Sequence, residues 1–140
     1  MTYPPGNDNR LGWMLDDALE GVPHARHAIL IASDGLLLAH SAGMHRDLAD
    51  SAAAGASATA SLARNRGPFV GGGPGVHWKQ DVSEYGNGYL LIRDAGANAV
   101  LAATAGLDVV LGQFSFRLEQ LVQRLGPELS SPARQDAESS

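Results

Sequence analysis

The sequence predicts an α+β fold: a three-layer α/β/α sandwich with elements in the order αββαβββα and five antiparallel strands. Three observations carry this expectation. Along the chain the apolar pattern switches between the periods of helices and strands, marking three helical and five extended segments. The links between successive strands are short, and short links join antiparallel strands, because a parallel crossover needs about a dozen residues or more. The segments 28–32, 89–92 and 99–103 are apolar at nearly every position, as strands covered on both faces are.

Each element has its own signature. Helix 9–20 has Asp8 or Asn9 placed to cap it, a stripe of Leu11, Leu15, Ala18 and Leu19, and Gly21 near its end. Asp16, Asp17 and Glu20 fall on its outer side and read as a solvated face. Strand 26–32, the turn Ser33-Asp34-Gly35 and strand 36–40 form a hairpin. A helix follows from Asp47 to Asn65, then a glycine-rich flexible connector at 66–75. In strand 76–84, Val76, Trp78 and Val82 alternate with His77, Lys79 and Asp81, which places the two sets on opposite sides. The turn 85–88 leads into strand 88–93, which joins strand 98–104 through Asp94-Ala95-Gly96. The last helix, Asp108–Leu125, has a stripe of Leu111, Phe114, Leu118, Leu121, Val122 and Leu125, and Gly126 and Pro127 are expected to stop it. One domain over 9–126 results, between a flexible leader, 1–8, and a disordered tail, 127–140.

The helix 47–65 is unusual in composition. From Ala49 to Ser61 no residue is larger than Asp50, and Leu48 and Leu62 bracket the run. Alanine favours the helix, yet such small side chains bury little apolar area at about 0.8 kcal/mol per methylene. Their use is close approach, since the distance between packed helices falls with side-chain size within about 8–10 Å. Leu48, Ala52, Gly55, Thr59 and Leu62 share one face; Ala53, Ser57, Ala60 and Ser61 lie roughly opposite. A helix thin on two sides fits packing against its own sheet and against a second molecule. The plainer alternative is an alanine-rich helix that touches only its own sheet.

Composition narrows the function classes. The 140 residues are 44% hydrophobic and 18% charged, enough for a core, and the net charge is −5. That balance disfavours nucleic acid, which demands clustered Lys and Arg, and anionic membrane surfaces. There is no cysteine, which excludes disulfides, thiolate metal sites and cysteine nucleophiles. The first residues lack a basic and an apolar region, so no secretion signal is read. No run approaches the roughly 18 apolar residues of a membrane span. A cytoplasmic protein without membrane insertion is expected.

No catalytic, cofactor or metal site emerges. Gly71, Gly72, Gly73 and Gly75 have no preceding strand and no following Lys-Ser/Thr pair, so they do not make a phosphate loop. The histidines, His24, His27, His40, His45 and His77, lack metal-ligand spacing, although His27 and His40 are placed to face each other across the first hairpin. Ser57 is not in a nucleophile elbow, and Ser33 with Asp34 is turn chemistry. Trp13 and Trp78 read as edge packing rather than ligand stacking.

The opening segment 15–39 runs as a helix end, Val22-Pro23, a strand, Ser33-Asp34-Gly35 and a return strand. With the slim helix, the strand GYLLIR at 88–93 and the final helix segment 106–125, this order resembles the Roadblock/dynein-light-chain family over residues 9–126. The resemblance implies a roadblock/profilin-like sheet with the slim helix on one face and the terminal helices on the other. It implies homodimers in which two slim helices pack antiparallel, with edge-to-edge pairing of the strands at 76–84. The interface residues it points to are Leu48, Ala52, Gly55, Ala56, Thr59, Leu62 and Trp78. Overpacking this contact by Gly55→Leu or Ala56→Trp is expected to split or destabilise the dimer.

Bacterial members of the family partner small Ras-like GTPases. The alanine-rich, cysteine-free style resembles actinobacterial members, which are encoded beside such a GTPase and a sensor-kinase-like protein. The resemblance therefore implies a non-enzymatic regulatory or scaffold subunit. Arg93 and Arg117 could in principle act in trans on a nucleotide, but solvated or core-capping arginines are far more common, and that is the favoured reading. A different class of function is a small-molecule sensor with a pocket between sheet and helix, for which residues 68–75 would serve as a lid.

Overall fold

A computed structural model describes residues 9–73, 75–96 and 98–130. The expected leader, the Asp8 cap and the tail from 131 lie outside the described residues. Among the described residues the elements are α1 (Asn9–Glu20), β1 (Ala25–Ala32), β2 (Leu37–His40), α2 (Arg46–Asn65), α3 (Gly67–Val70), β3 (Gln80–Tyr85), β4 (Gly88–Gly96), β5 (Ala99–Gly106) and α4 (Leu111–Leu129). The sheet is antiparallel throughout, in the order β2-β1-β5-β4-β3. The α+β sandwich and the order αββαβββα stand as the sequence predicts, with α3 as a short addition.

Strand order dictates where α2 must go. β2 and β3 are opposite edges of the sheet, about 19 Å apart at roughly 4.8 Å per strand. α2 has 20 residues, about 30 Å of helix at 1.5 Å per residue, so it spans the whole face on its way between the two edges. It packs Ala49, Ala53, Ala56 and Ala60 onto Ile29, Ile31, Leu37, Ile92, Val100 and Ala102. The opposite face is covered by α1 and α4 through large side chains, Leu11, Met14, Leu15, Phe114, Leu118, Leu121 and Leu125, over Leu30, Leu91, Leu101 and Ala103. Small residues on one face and large ones on the other make two cores of unequal thickness.

Several boundaries differ from expectation, each for a local reason. α4 does not stop at Gly126 and Pro127. It continues to Leu129, which is buried, while Arg10 Nη2 sits 2.7 Å from Glu128 Oε1. Losing one donor at Pro127 is offset by these contacts. The helix also begins at Leu111 rather than Asp108, after Val109 has been buried and has donated its N–H to Gly106. The connector at 66–75 carries α3, started by Pro68 and closed by Gly71 at φ +93°. β4 runs on through Asp94 to Gly96, and the turn into β5 lies beyond it, with Asn98 at φ +61°.

The strand expected at 76–84 begins only at Gln80. Val82 is opposite Leu91 of the α1/α4 core, so it faces α4, whereas Trp78 packs on the α2 core. Trp78 and Val82 therefore do not share a side. The chain leaves strand geometry before Gln80, and the alternation read across 76–84 does not survive the break.

Asp16 and Asp17 are not a purely solvated face either. Asp16 Oδ1 accepts from Ala42 N at 2.9 Å, and Asp17 Oδ2 is 2.9 Å from Arg124 Nη1. Arg117 donates to the carbonyls of Ala18 and Asp17 at 3.2 and 3.1 Å, satisfying the C-terminal end of α1. These contacts tie α1 to α4 and to the loop after β2.

Candidate interaction surface

α2 has two distinct faces. Ala49, Ala53, Ala56, Ala60 and Ala63 recur at spacings of three and four and are buried, the first four of them on the sheet. On the solvent side Leu48 and Leu62 are 57% and 61% exposed, with Ala52 and Gly55 exposed between them. Thr59 is half-buried and turns its hydroxyl inward, donating to Gly55 O at 3.0 Å. Leu48, Ala52, Gly55, Thr59 and Leu62 thus form the stripe expected from the sequence, away from the sheet.

Ala56 does not belong to that stripe. At 4% exposure it sits in the α2–sheet core, on the face opposite to the one the expected interface requires. Trp78 is half-buried beside the same core. Its Nε1 donates to Asp81 Oδ1 at 3.0 Å, and the Arg64 guanidinium lies 5.4 Å from its ring centroid.

The stripe has an internal symmetry. Leu48 and Leu62 stand at equal sequence distance on either side of Gly55, about two helical turns each way. Nothing lies within 4 Å of a Cβ built on Gly55, so the centre is open as well as thin. A two-fold axis at Gly55 would bring Leu48 of one helix to Leu62 of an antiparallel copy, the self-complementary arrangement an isologous contact requires. β3, at the sheet edge, carries an open strand on the same side of the molecule as α2's C-terminal end, where Arg66 reaches Asp81 at 3.7 Å.

The other chemically active side chains are placed apart. His40 is opposite Ile29 in the β1–β2 register, while His27 takes its place beside Thr104, so the two histidines do not face each other. The β1 bulge and the register of the hairpin separate them. Among the described residues there is no group of three or more His, Cys, Asp or Glu able to hold a metal ion. Arg93 is held by Gln80 Oε1 at 2.6 Å and Ser115 Oγ at 3.3 Å, and Arg117 is committed to α1. Both side chains make contacts within the protomer. No helix among the described residues is long and apolar enough to cross a membrane.

What sequence reasoning missed is the convergence at the end of α2. Arg64, Trp78, Lys79, Arg93 and Ser115 border one cleft of about 650 Å³ between α2, α3, the start of β3 and α4. These residues come from separate segments, and the only local hint was the Arg64–Arg66 pair at the helix end.

Comparison with known proteins agrees with the architecture. The family model of the Roadblock/LC7 domain matches residues 11–105. A Roadblock/LC7 domain from Streptomyces avermitilis is 31% identical, with 86% of this chain and 98% of that chain covered and a TM-score of 0.80. The gliding protein MglB from Thermus thermophilus is 20% identical over 100% of this chain and 96% of its own, at a TM-score of 0.71. Profilin IB from Acanthamoeba castellanii shares the fold more distantly, at 21% identity, 82% and 95% coverage and a TM-score of 0.55. Among curated proteins, none matches.

Proposed function

The chain belongs to the Roadblock/LC7 domain family, and from that premise we propose that it is a non-enzymatic regulatory or scaffold subunit, acting as a homodimer that binds a small Ras-like GTPase. The observation that carries the reading is the two-faced α2: one alanine row buried on the sheet, one thin stripe open to solvent and symmetric about Gly55. Two such stripes pack antiparallel, with the paired leucines closing each end. The edge strand β3 adds main-chain hydrogen bonds across the same two-fold axis, which satisfies an otherwise open edge. Leu48, Ala52, Gly55, Thr59 and Leu62 form the contact, with Trp78 at its margin; Ala56 supports it from beneath.

A dimer doubles every surface, and the GTPase docks on the assembled pair. The part played is tethering or regulation, within a cytoplasmic signalling module that includes a sensor-kinase-like protein. The layer between α2 and the sheet is filled by the alanine row and by Ile29, Ile31, Ile92 and Val100, which argues against a ligand pocket there. The reading is tested by titrating the chain with the Ras-like GTPase encoded nearest its gene, loaded with GDP or with GTP. Saturable binding that depends on the nucleotide supports the reading; indifference to both forms removes the GTPase from it.

A further inference from the structure

We propose that the cleft at the C-terminal end of α2 binds a small molecule carrying an anionic group, phosphate or carboxylate, on a planar ring. The proposal goes beyond the dimer reading, although Trp78 and the start of β3 border both the cleft and the proposed dimer contact.

The charge is the first argument. The chain carries 10 Lys and Arg against 15 Asp and Glu, yet the cleft is bordered by Arg64, Lys79 and Arg93 with Asp94 as its one carboxylate. A net-acidic protein has here placed three cations on one concave surface; Arg64 and Arg93 are paired with Asp94 and Glu119, which leaves Lys79 as the excess positive charge. Two of the three are already oriented and each faces a carboxylate. Arg93, with a side chain only 12% exposed, is fixed by Gln80 and Ser115 and lies 3.8 Å from Glu119 Oε1, and Ser115 Oγ in turn donates to Gln80 Oε1 at 3.1 Å. Arg64 is held between Asp94, at 3.4 Å, and the Trp78 ring. Lys79 is exposed and its ammonium makes no hydrogen bond or ion pair among the described residues, so it is the cation available to an incoming anion.

Shape and lining supply the ring. The cleft, at about 650 Å³, lies within the range of roughly 300–1,000 Å³ typical of small-molecule sites and is far larger than a bare oxyanion needs. Trp78, Val70, Val76 and Ala63 give it an apolar wall. Trp78 is anchored through Nε1 to Asp81, so its indole presents a fixed surface rather than a mobile one. A planar ring lies on that wall while its anionic group meets Lys79 and Arg64.

The test is a nuclear magnetic resonance titration of the full chain, following the two indole N–H signals, which a Trp13→Phe variant assigns. The probes are adenosine monophosphate for a phosphate on a ring, benzoate for a carboxylate on a ring, adenosine for a ring without charge, and inorganic phosphate for charge without a ring. Saturable movement of the Trp78 signal with adenosine monophosphate or benzoate, but not of the Trp13 signal, is expected, and whichever binds tighter identifies the anion. Adenosine and inorganic phosphate should each bind about tenfold more weakly, as should the better probe to Lys79→Ala, since a charge-assisted contact is worth about 1.5 kcal/mol or more. The Lys79 side chain has no hydrogen-bond or ion-pair partner among the described residues, so Lys79→Ala should melt with the parent; if it does not, Lys79→Gln takes its place. No saturable shift with either charged ring, adenosine binding as tightly as its monophosphate, or full affinity in the Lys79 variant would each overturn the proposal.

Discussion

Gly55 and Ala56 are neighbours in sequence with opposite duties. Gly55 is exposed with no atom within 4 Å of a built Cβ, so Gly55→Leu costs the protomer nothing in contacts and gains roughly 0.5–1 kcal/mol of helix propensity. In the proposed dimer the same leucine overpacks the helix contact by about 1–3 kcal/mol, weakening association by roughly five- to 150-fold. Unfolding and sedimentation measured on one sample separate the two effects: stability holds or rises while the dimer dissociates. Ala56→Trp instead strikes the core between α2 and the sheet, and thermal unfolding should show severe loss of the protomer itself. The sequence could show that both residues were small; only the helix's rotation about its axis, fixed by the sheet beneath it, shows which one faces out. His24 offers an independent test at this scale. It holds φ at +73° in the α1–β1 turn, while its carbonyl accepts from Gly106 N at 2.9 Å. His24→Gly relieves left-handed strain of about 1–2 kcal/mol, less the entropy glycine brings, and a small rise in melting temperature is the expected readout.

At the scale of elements, α1 and α4 hold together through polar contacts that no local pattern announces. Arg117 reaches two carbonyls at the end of α1 from about a hundred residues away. Arg117→Ala should cost about 1–2 kcal/mol in urea unfolding with the slope unchanged, because half-exposed charge-assisted bonds are lost without a new cavity. The Arg10 guanidinium holds the Glu128 carboxyl below the usual carboxylate range, chiefly by hydrogen bonding to it. A depressed carboxyl stabilises the folded state above its unfolded pKa and loses that contribution as pH falls through the folded one. Hydrogen exchange at the end of α4 should therefore quicken below the usual carboxylate range and not at neutral pH. Periodicity made the helices, the hairpin and the turn at 85–88 legible, because each signal is local. The continuation of α4 through Pro127 was not, since it depends on Leu129 and Glu128 meeting partners on other elements. The late start of β3 was hidden for the same reason: Trp78 leaves the strand's alternation to reach Asp81 and the α2 core.

For the whole molecule, the central proposition is that one thin helix serves two interfaces, its own sheet and a second copy. The double thinness was readable from composition, and the family resemblance supplied the antiparallel pairing; the cation-lined cleft was not readable, because topology alone gathers Arg64, Lys79 and Arg93. A stable interface buries about 1,200–2,000 Å² in total, so the proposed contact includes the β3 edge as well as the leucine-bounded stripe. Sedimentation equilibrium of the parent chain and of Gly55→Leu, each alone and with the candidate GTPase, tests this most directly. The account predicts twice the 14.6 kDa chain mass for the parent, a shift toward the single chain for the variant at undiminished thermal stability, and loss of GTPase binding together with the dimer. A parent that stays monomeric, or a Gly55→Leu variant that stays dimeric with unchanged affinity, would contradict it.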